Sequence, residues 1–429
     1  MASLVLIAAA AVAGPLIADG LRRFLPVPSL LIEVGLGIVI GPAVFALAST
    51  GPIIDSFARV GLVLLVFLVG FEVEPQLVRG RPIRLAAVAW VGSLAIAFIA
   101  AGVMHRIDTT SSVRFIAIAL TTSAAAVLLP ILADTGLLTT RFGAFAVTGG
   151  LMGQLGPILV LAVLLVVDDP VVSVTSTVVF GAITAAAIFA ATRPARPRLV
   201  QVIGDTLQST GQVAVRIAVL ICIALIWAAA ESNINVLFGA FTGGIVARLF
   251  LVGHSTPFTA GSLGPDRAAV SPKWSSPTLP DSGSSEPRSR YSQIQDRIES
   301  FGHGFFIPLF FVVSGMRLDA RSWFDGRVAV MIPVFAVLFV VVRGLPVVIY
   351  RRDLPRRELL ALAFMQSAAL PMLVVVTTFA LARGEMNQTD AAALVGAGLV
   401  SVVVFPFIGL VLQRSAGPTS QTVGSDQRA

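Results

Sequence analysis

The sequence predicts an all-α polytopic membrane protein of about 13 transmembrane helices arranged as inverted repeats. Three observations predict it. Of 429 residues, 56% are hydrophobic and only 12% are charged, which leaves too little polar surface for a water-soluble fold. Apolar runs of roughly 20 residues, enough to cross about 30 Å of hydrocarbon, fall near 2–20, 29–48, 52–73, 83–105, 115–133, 142–167, 171–191, 212–230, 234–251, 301–316, 328–350, 358–382 and 389–412. Two of these runs, the fifth and the twelfth, are interrupted at their centres. Their odd offset means that they cross the membrane in opposite directions, as the paired elements of an inverted repeat do.

The connections between the runs set the orientation. Of the 30 basic residues, all but one are arginine. Odd-numbered connections hold Arg22, Arg23, Arg79, Arg81, Arg84, Arg141, Arg193, Arg196, Arg198, Arg351, Arg352, Arg356 and Arg357, against Arg59, Arg106, Arg114, Arg317, Arg321, Arg327 and Arg383 in the even ones. This bias predicts an amino terminus outside and a carboxyl terminus in the cytoplasm. The net charge of +7 is therefore topological and implies no nucleic-acid partner. The near absence of lysine hints at a GC-rich bacterial genome, and hence a bacterial inner membrane.

Segments one to nine occupy 1–252 and segments ten to thirteen 298–414. Between them, 253–297 contains SSPTLPDSGSSEPRSR, a composition that cannot bury enough apolar area to offset its ordering entropy, and disorder is expected there and in the tail 415–429. No short charged and cleavable leader opens the chain, so the first run reads as a retained span. The single cysteine, Cys222, and the scattered His105, His254 and His303 form no metal-binding or redox cluster. Neither a nucleophile elbow nor a phosphate-binding loop occurs in a suitable context, and GLGIVIG is a packing pattern within an apolar run. An enzyme with a metal or cofactor is not expected.

Polar and helix-breaking residues at mid-membrane are costly, so they mark candidate sites. The fifth segment, FIAIALTTSAAAVLLPILAD, centres Thr121, Thr122 and Ser123, with Pro130 one to two turns beyond. The twelfth, LLALAFMQSAALPMLVVVTTFAL, centres Gln366, Ser367 and Pro371. Proline removes one backbone hydrogen bond and clashes with the preceding turn, so both segments read as broken helices. The alternative is that the hydroxyls bond their own backbone and the prolines are ordinary membrane kinks. The sixth segment puts Gly153 and Gln154 near its midpoint, and the eleventh puts Arg343 about 6 Å from its own. A charge at that depth needs an acceptor, a water-filled cavity or an anion, unless the side chain snorkels to the surface. Glu33 is the one carboxylate clearly inside an apolar run, readable as a proton carrier or as a structural acceptor.

The fragments VPSLLIEVGLGIVIGP, LVLLVFLVGFEVEP, TTSAAAVLLPIL, FFIPLFFVVSGMRLD and ALPMLVVVTTFALARGEM, followed by AAALVGAGLVSVVVFP, occur in that order. Together they resemble the sodium/hydrogen exchanger fold and, within it, the second cation:proton antiporter family. The resemblance implies a dimer with a core domain in which two discontinuous helices cross at the ion site. Segments five and twelve would be that pair. Relatives carry the ion on one or two carboxylates at positions matching Gly153 and Gln154, and a basic residue, lysine or arginine, at the position matching Arg343. This chain departs at Gln154, since an amide neither gains nor loses a proton near neutrality.

Three functions follow as expectations. The first is exchange of a monovalent cation for protons across the bilayer. A small-anion transporter built on Arg343 and the positive ends of helices is the second. The third is a transport-inactive membrane sensor or scaffold. The candidate ligand-binding residues are Thr121, Thr122, Ser123, Gly153, Gln154, Arg343, Gln366 and Ser367, with Glu33 the candidate proton carrier.

Overall fold

The computed structural model describes residues 2–21, 28–72, 81–107, 112–164 except 139, parts of 181–189, 213–232, 236–252, and 290–414 except 319, 320, 322 and 324. Among these the chain is entirely helical, and nine helical stretches are long and apolar enough to cross a membrane. With no water inside a bilayer, backbone donors and acceptors must find partners within the protein, and a helix supplies most of them inside one segment, which is why apolar runs of this length become helices. Large apolar side chains such as Val88, Ile99, Leu220, Trp227 and Val337 point outward, as lipid contact requires. The chain is a multi-pass membrane protein.

The helices are α1 (Ala2–Leu21), α2 (Ser29–Ile40), α3 (Pro52–Phe71), α4 (Arg81–Ile107), α5 (Val113–Leu120), α6 (Ala125–Asp134), α7 (Arg141–Leu164), α8 (Val213–Glu231), α9 (Val236–Val252), α10 (Arg290–Phe301), α11 (Ile307–Met316), α12 (Gly326–Gly344), α13 (Arg356–Gln366), α14 (Pro371–Ala382) and α15 (Gln388–Arg414). They pack as two bodies. In the scaffold, α1 lies on α2, α2 and α3 on α11, and α3 on α9, which carries α8. In the core body, α4 packs on α5 and α7, α13 on α7 and α15, α14 on α5 and α15, and α12 on α15. The bodies meet where α7 touches α9 and α3, and where α11 touches α14.

Several boundaries differ from the expectations. The second span, read as 29–48, stops at Ile40. Gly41 is extended, with φ −70° and ψ 172°, and it precedes Pro42, which disfavours the helical conformation at the residue before it, so the helix ends there. The expected disordered loop 253–297 overlaps α10, whose polar first residues continue without interruption through a widened turn, Gly302–Phe306, into α11. Ile307 N–H there reaches back five residues to the Gly302 carbonyl, which accommodates Pro308, a residue with no N–H of its own. The stretch 253–289, most of the seventh segment and the tail lie outside the described residues.

Candidate functional site at the crossing of two interrupted helices

The fifth segment breaks between α5 and α6 at Thr121–Ala124, and the twelfth breaks between α13 and α14 at Ser367–Leu370. The two unwound stretches touch. Ala124 N–H donates to the Ala368 carbonyl at 2.7 Å, and Ser123 Oγ donates to the Gln366 carbonyl at 2.9 Å. Backbone groups freed by each break are thus satisfied by the other, as the hydrocarbon surroundings demand.

The hydroxyls divide their work. Thr121 and Thr122 donate to Ile118 and Ala119 at 2.8 and 2.7 Å, closing the last turn of α5, and Ser367 donates to Ala363 at 2.6 Å in the last turn of α13. Backbone capping, the alternative reading of these side chains, accounts for all three. Ser123 is the one that crosses.

The prolines also divide. Pro371 is the first residue of α14, where no N–H is needed. Pro130, expected to mark the first break, instead lies inside α6. That break is made by the TTS sequence, whose side chains offer the backbone partners outside the helical ladder. The sequence reading also passed over Pro157. Lacking an N–H, it leaves the Gly153 carbonyl four residues earlier without its helical donor, and Ser123 N–H takes that carbonyl at 3.0 Å. A proline four residues after a glycine in an apolar run was the available signal.

Gly153 has a steric reason as well. A Cβ there would collide with Ser123 Cβ and stand 2.9 Å from Arg343 Nη2. Along the same face of α7, a Cβ on Gly149 would run into the Gln366 amide. The small residues admit both side chains. Arg343 Nη2 donates to the Gly149 carbonyl at 2.8 Å, its Nε meets the Gln366 carbonyl at 3.4 Å, and Gln366 Nε2 reaches the Phe145 carbonyl at 3.3 Å. Arg343 is 2% exposed, so it is turned inward and does not snorkel. Among the described residues no carboxylate pairs with it. Gln154, 3% exposed, holds an Oε1 with no hydrogen-bond partner.

The structure therefore brings together Ser123, Gly153, Arg343, Gln366 and the backbone of Ser367–Leu370. Glu33 is not part of that group. It sits in the scaffold between α1 and α2, its Cγ 2.7 Å from where a Gly14 Cβ would be. Several buried polar residues went unread in the sequence, Ser401 and Arg248 among them. Ser401 of α15 accepts from Ala369 N–H at 3.1 Å, and buried Arg248 of α9 donates to the Phe71 carbonyl at 2.8 Å. Among the described residues no group of three or more His, Cys, Asp or Glu could hold a metal ion.

Crossed half-helices tied through their unwound backbones define an architecture, and comparison with known proteins identifies it. The pattern of the sodium/hydrogen exchanger transmembrane family matches residues 7–260 and 283–412. The chain belongs to the sodium/hydrogen exchanger family. Its members are transporters, and no enzyme chemistry is assigned here. Similar proteins include Cation/H(+) antiporter 15 of Arabidopsis thaliana, 23% identical over 429 residues, covering 94% of this chain and 46% of the relative. Cation/H(+) antiporter 19 of the same plant is 23% identical over 423 residues, covering 91% and 47%. The chain thus spans less than half the length of these exchanger relatives. The solved sodium proton antiporter MjNhaP1 from Methanocaldococcus jannaschii matches with a TM-score of 0.61 at 15% identity, over 97% of this chain and 99% of that one. The last comparison supports the exchanger fold.

Proposed function

We propose that the chain is a secondary active transporter that exchanges a monovalent cation, Na⁺ or K⁺, for protons by alternating access, its core body moving past the scaffold. The observation that carries this reading is the crossing, where two broken helices are tied by one backbone and one side-chain hydrogen bond against Gly153 of α7, the residue before a buried Gln154 whose Oε1 has no partner, in a family whose relatives are named cation/H⁺ antiporters. Neutral oxygens at the crossing, Gln154 Oε1 among them, supply the cation's ligands, while Arg343 stays on its two carbonyls. Glu33 is the remaining candidate for the proton because Gln154 cannot carry one, and it would act from the scaffold, outside the residues gathered at the crossing. The scaffold helices pair two copies into a homodimer. The arginine-rich ends face the cytoplasm of a bacterial inner membrane, with the amino terminus outside and the carboxyl terminus inside.

The test is flux in proteoliposomes under an imposed pH gradient, scanning Na⁺, K⁺ and Li⁺. Exchange of one of these cations is expected, with loss in Glu33→Gln. Undiminished exchange in that variant removes Glu33 from the mechanism. Absence of any ion flux from a protein that still dimerises would leave the sensor or scaffold reading in place of transport.

One observation favours a second reading. Among the described residues no carboxylate pairs with the buried Arg343, and a second positive charge about 5 Å away would be opposed by roughly 3 kcal/mol at an effective dielectric constant near 20. A small anion would instead be attracted, both by the guanidinium and by the amino-terminal ends of α6 and α14. In that case chloride flux is measurable, and Gln154→Glu weakens it. Chloride flux that survives Gln154→Glu rejects the anion site.

A further inference from the structure

A basic surface lies on the core body at the end where α4, α7 and α13 begin. Arg81 and Arg84 open α4, Arg141 opens α7, and Arg351, Arg352 and Arg356 occupy the turn leading into α13; all are exposed. They cover one apolar cluster. Phe142, Tyr350 and Leu354 pack together beneath them, the Phe145 and Tyr350 rings are 4.8 Å apart, and Arg81 Nη2 meets Asp353 Oδ2 at 3.2 Å. Three stretches distant in sequence therefore form a single surface.

The opposite ends of the helices behave differently. There Arg114 and Arg383 share Glu385 at 2.7 and 3.8 Å, and Arg317 meets Asp55 at 2.7 Å. Carboxylates on the chain stand beside those guanidinia. Among the described side chains at the basic surface, Asp353 is engaged by Arg81 and the nearby Glu358 is buried, so the six exposed arginines outnumber the acids beside them. Topology alone requires basic residues at one end, but does not require them to converge on one body from three separate segments. Lipid-facing side chains border the surface, with Leu345, Val348 and Leu360 each more than half exposed. The guanidinia thus stand at the ends of apolar spans, where a bilayer's phosphates would lie. Guanidinium is planar and meets phosphate oxygens through paired N–H donors.

We propose that this rim binds the headgroups of anionic phospholipids, attaching negatively charged lipid to the body that carries the crossing. The proposal holds whichever ion is transported. It is tested on the full chain in detergent by titration with a short-chain phosphatidylglycerol and, separately, with the matching phosphatidylcholine. Binding is read from labelled lipid and from the thermal midpoint. The unmodified chain should bind phosphatidylglycerol in preference, with affinity falling as salt rises. The triple change Arg351→Gln, Arg352→Gln and Arg356→Gln should weaken phosphatidylglycerol binding by at least about fivefold, whereas lysine at the same three positions should retain most of it at low salt. Equal binding of the two lipids by the unmodified chain overturns the proposal whether or not the variants fold. So does full affinity in the glutamine variant. Inorganic phosphate that displaces the lipid at matching concentration would assign the rim to free anions and likewise reject a lipid site.

Discussion

The two interrupted helices reach the same geometry by different chemistry. At the first break no proline stands in the gap; the Thr121 and Thr122 hydroxyls close the end of α5, and the loose N–H of Ser123 goes to a carbonyl that Pro157 has released on α7. At the second, Pro371 starts the new helix, and the loose N–H of Ala369 goes to the Ser401 hydroxyl on α15. Each break is backed by a glycine on the helix that follows it, Gly153 behind Ser123 and Gly398 behind Ala369. What the two halves share is an open backbone and a close neighbour. The residues that produce it are not shared.

The largest effects should come from closing the space behind each break. A Cβ on Gly153 meets Ser123 Cβ and, at 3.0 Å, its backbone nitrogen, whereas a Cβ on Gly398 meets the Ala369 carbonyl at 2.8 Å and the movable end of Leu373. Gly153→Val should cost about 3 kcal/mol or more of unfolding free energy in detergent, and Gly398→Val somewhat less, because the tightest clash at Gly153, 2.3 Å to Ser123 Cβ, is with an atom fixed to its backbone, whereas the tightest at Gly398 is with a leucine end that can swing aside, leaving the 2.8 Å approach to the Ala369 carbonyl. Equal costs would mean that the two backings are equally rigid and would weaken the contrast.

Next in size are the hydroxyls. Ser123→Ala removes the side-chain bond to Gln366 and leaves a buried carbonyl that keeps only the long contact from Arg343 Nε at 3.4 Å, a loss of about 1–3 kcal/mol. Ser367→Ala removes a bond within its own turn and should cost under about 1 kcal/mol. Ser401→Ala should resemble Ser123→Ala, since it deprives the Ala369 N–H of its acceptor. Thermal unfolding of the three variants side by side decides whether bonds across the crossing outweigh bonds within a turn.

How much of this was legible in the sequence follows from how far each feature reaches. The spans were legible because hydrophobic length is a local property, and Gln366, Arg343 and Gln154 stood out because a polar residue in an apolar run needs no partner to be noticed. The position of the first break was legible from TTS, but Pro130 drew attention away from it, since a proline inside a short half-helix and one at its start look alike in one dimension. Which hydroxyl crosses, Ser123 and not Thr122, depends on the rotation of the chain about the break. Glu33 was readable as a proton carrier or a structural acceptor because burial depth is visible in a sequence and the neighbour is not; only packing places it against Gly14. The start of α10 at Arg290 was hidden because its residues are polar and follow a Ser/Pro-rich stretch.

The smallest expected effect is the most specific to the first break. Pro157→Ala restores an N–H within helical reach of the Gly153 carbonyl, the group on which Ser123 N–H now depends. A carbonyl has two lone pairs and can accept both donors, so the unfolding free energy should change by less than about 1 kcal/mol, the better helix on α7 offsetting a weaker crossing bond. The local consequence is larger. Amide exchange at Ser123 should accelerate, while exchange at Ala369 should not respond, because that N–H is held by the Ser401 hydroxyl and owes nothing to α7. Pro371→Ala is the matching control, adding an N–H at the first position of α14, where helices leave such groups unbonded; it should leave both amides as they are. If Ser123 exchange is unmoved by Pro157→Ala, the released carbonyl is not what holds the first break open. The hydroxyls of Thr121 and Thr122 must then suffice.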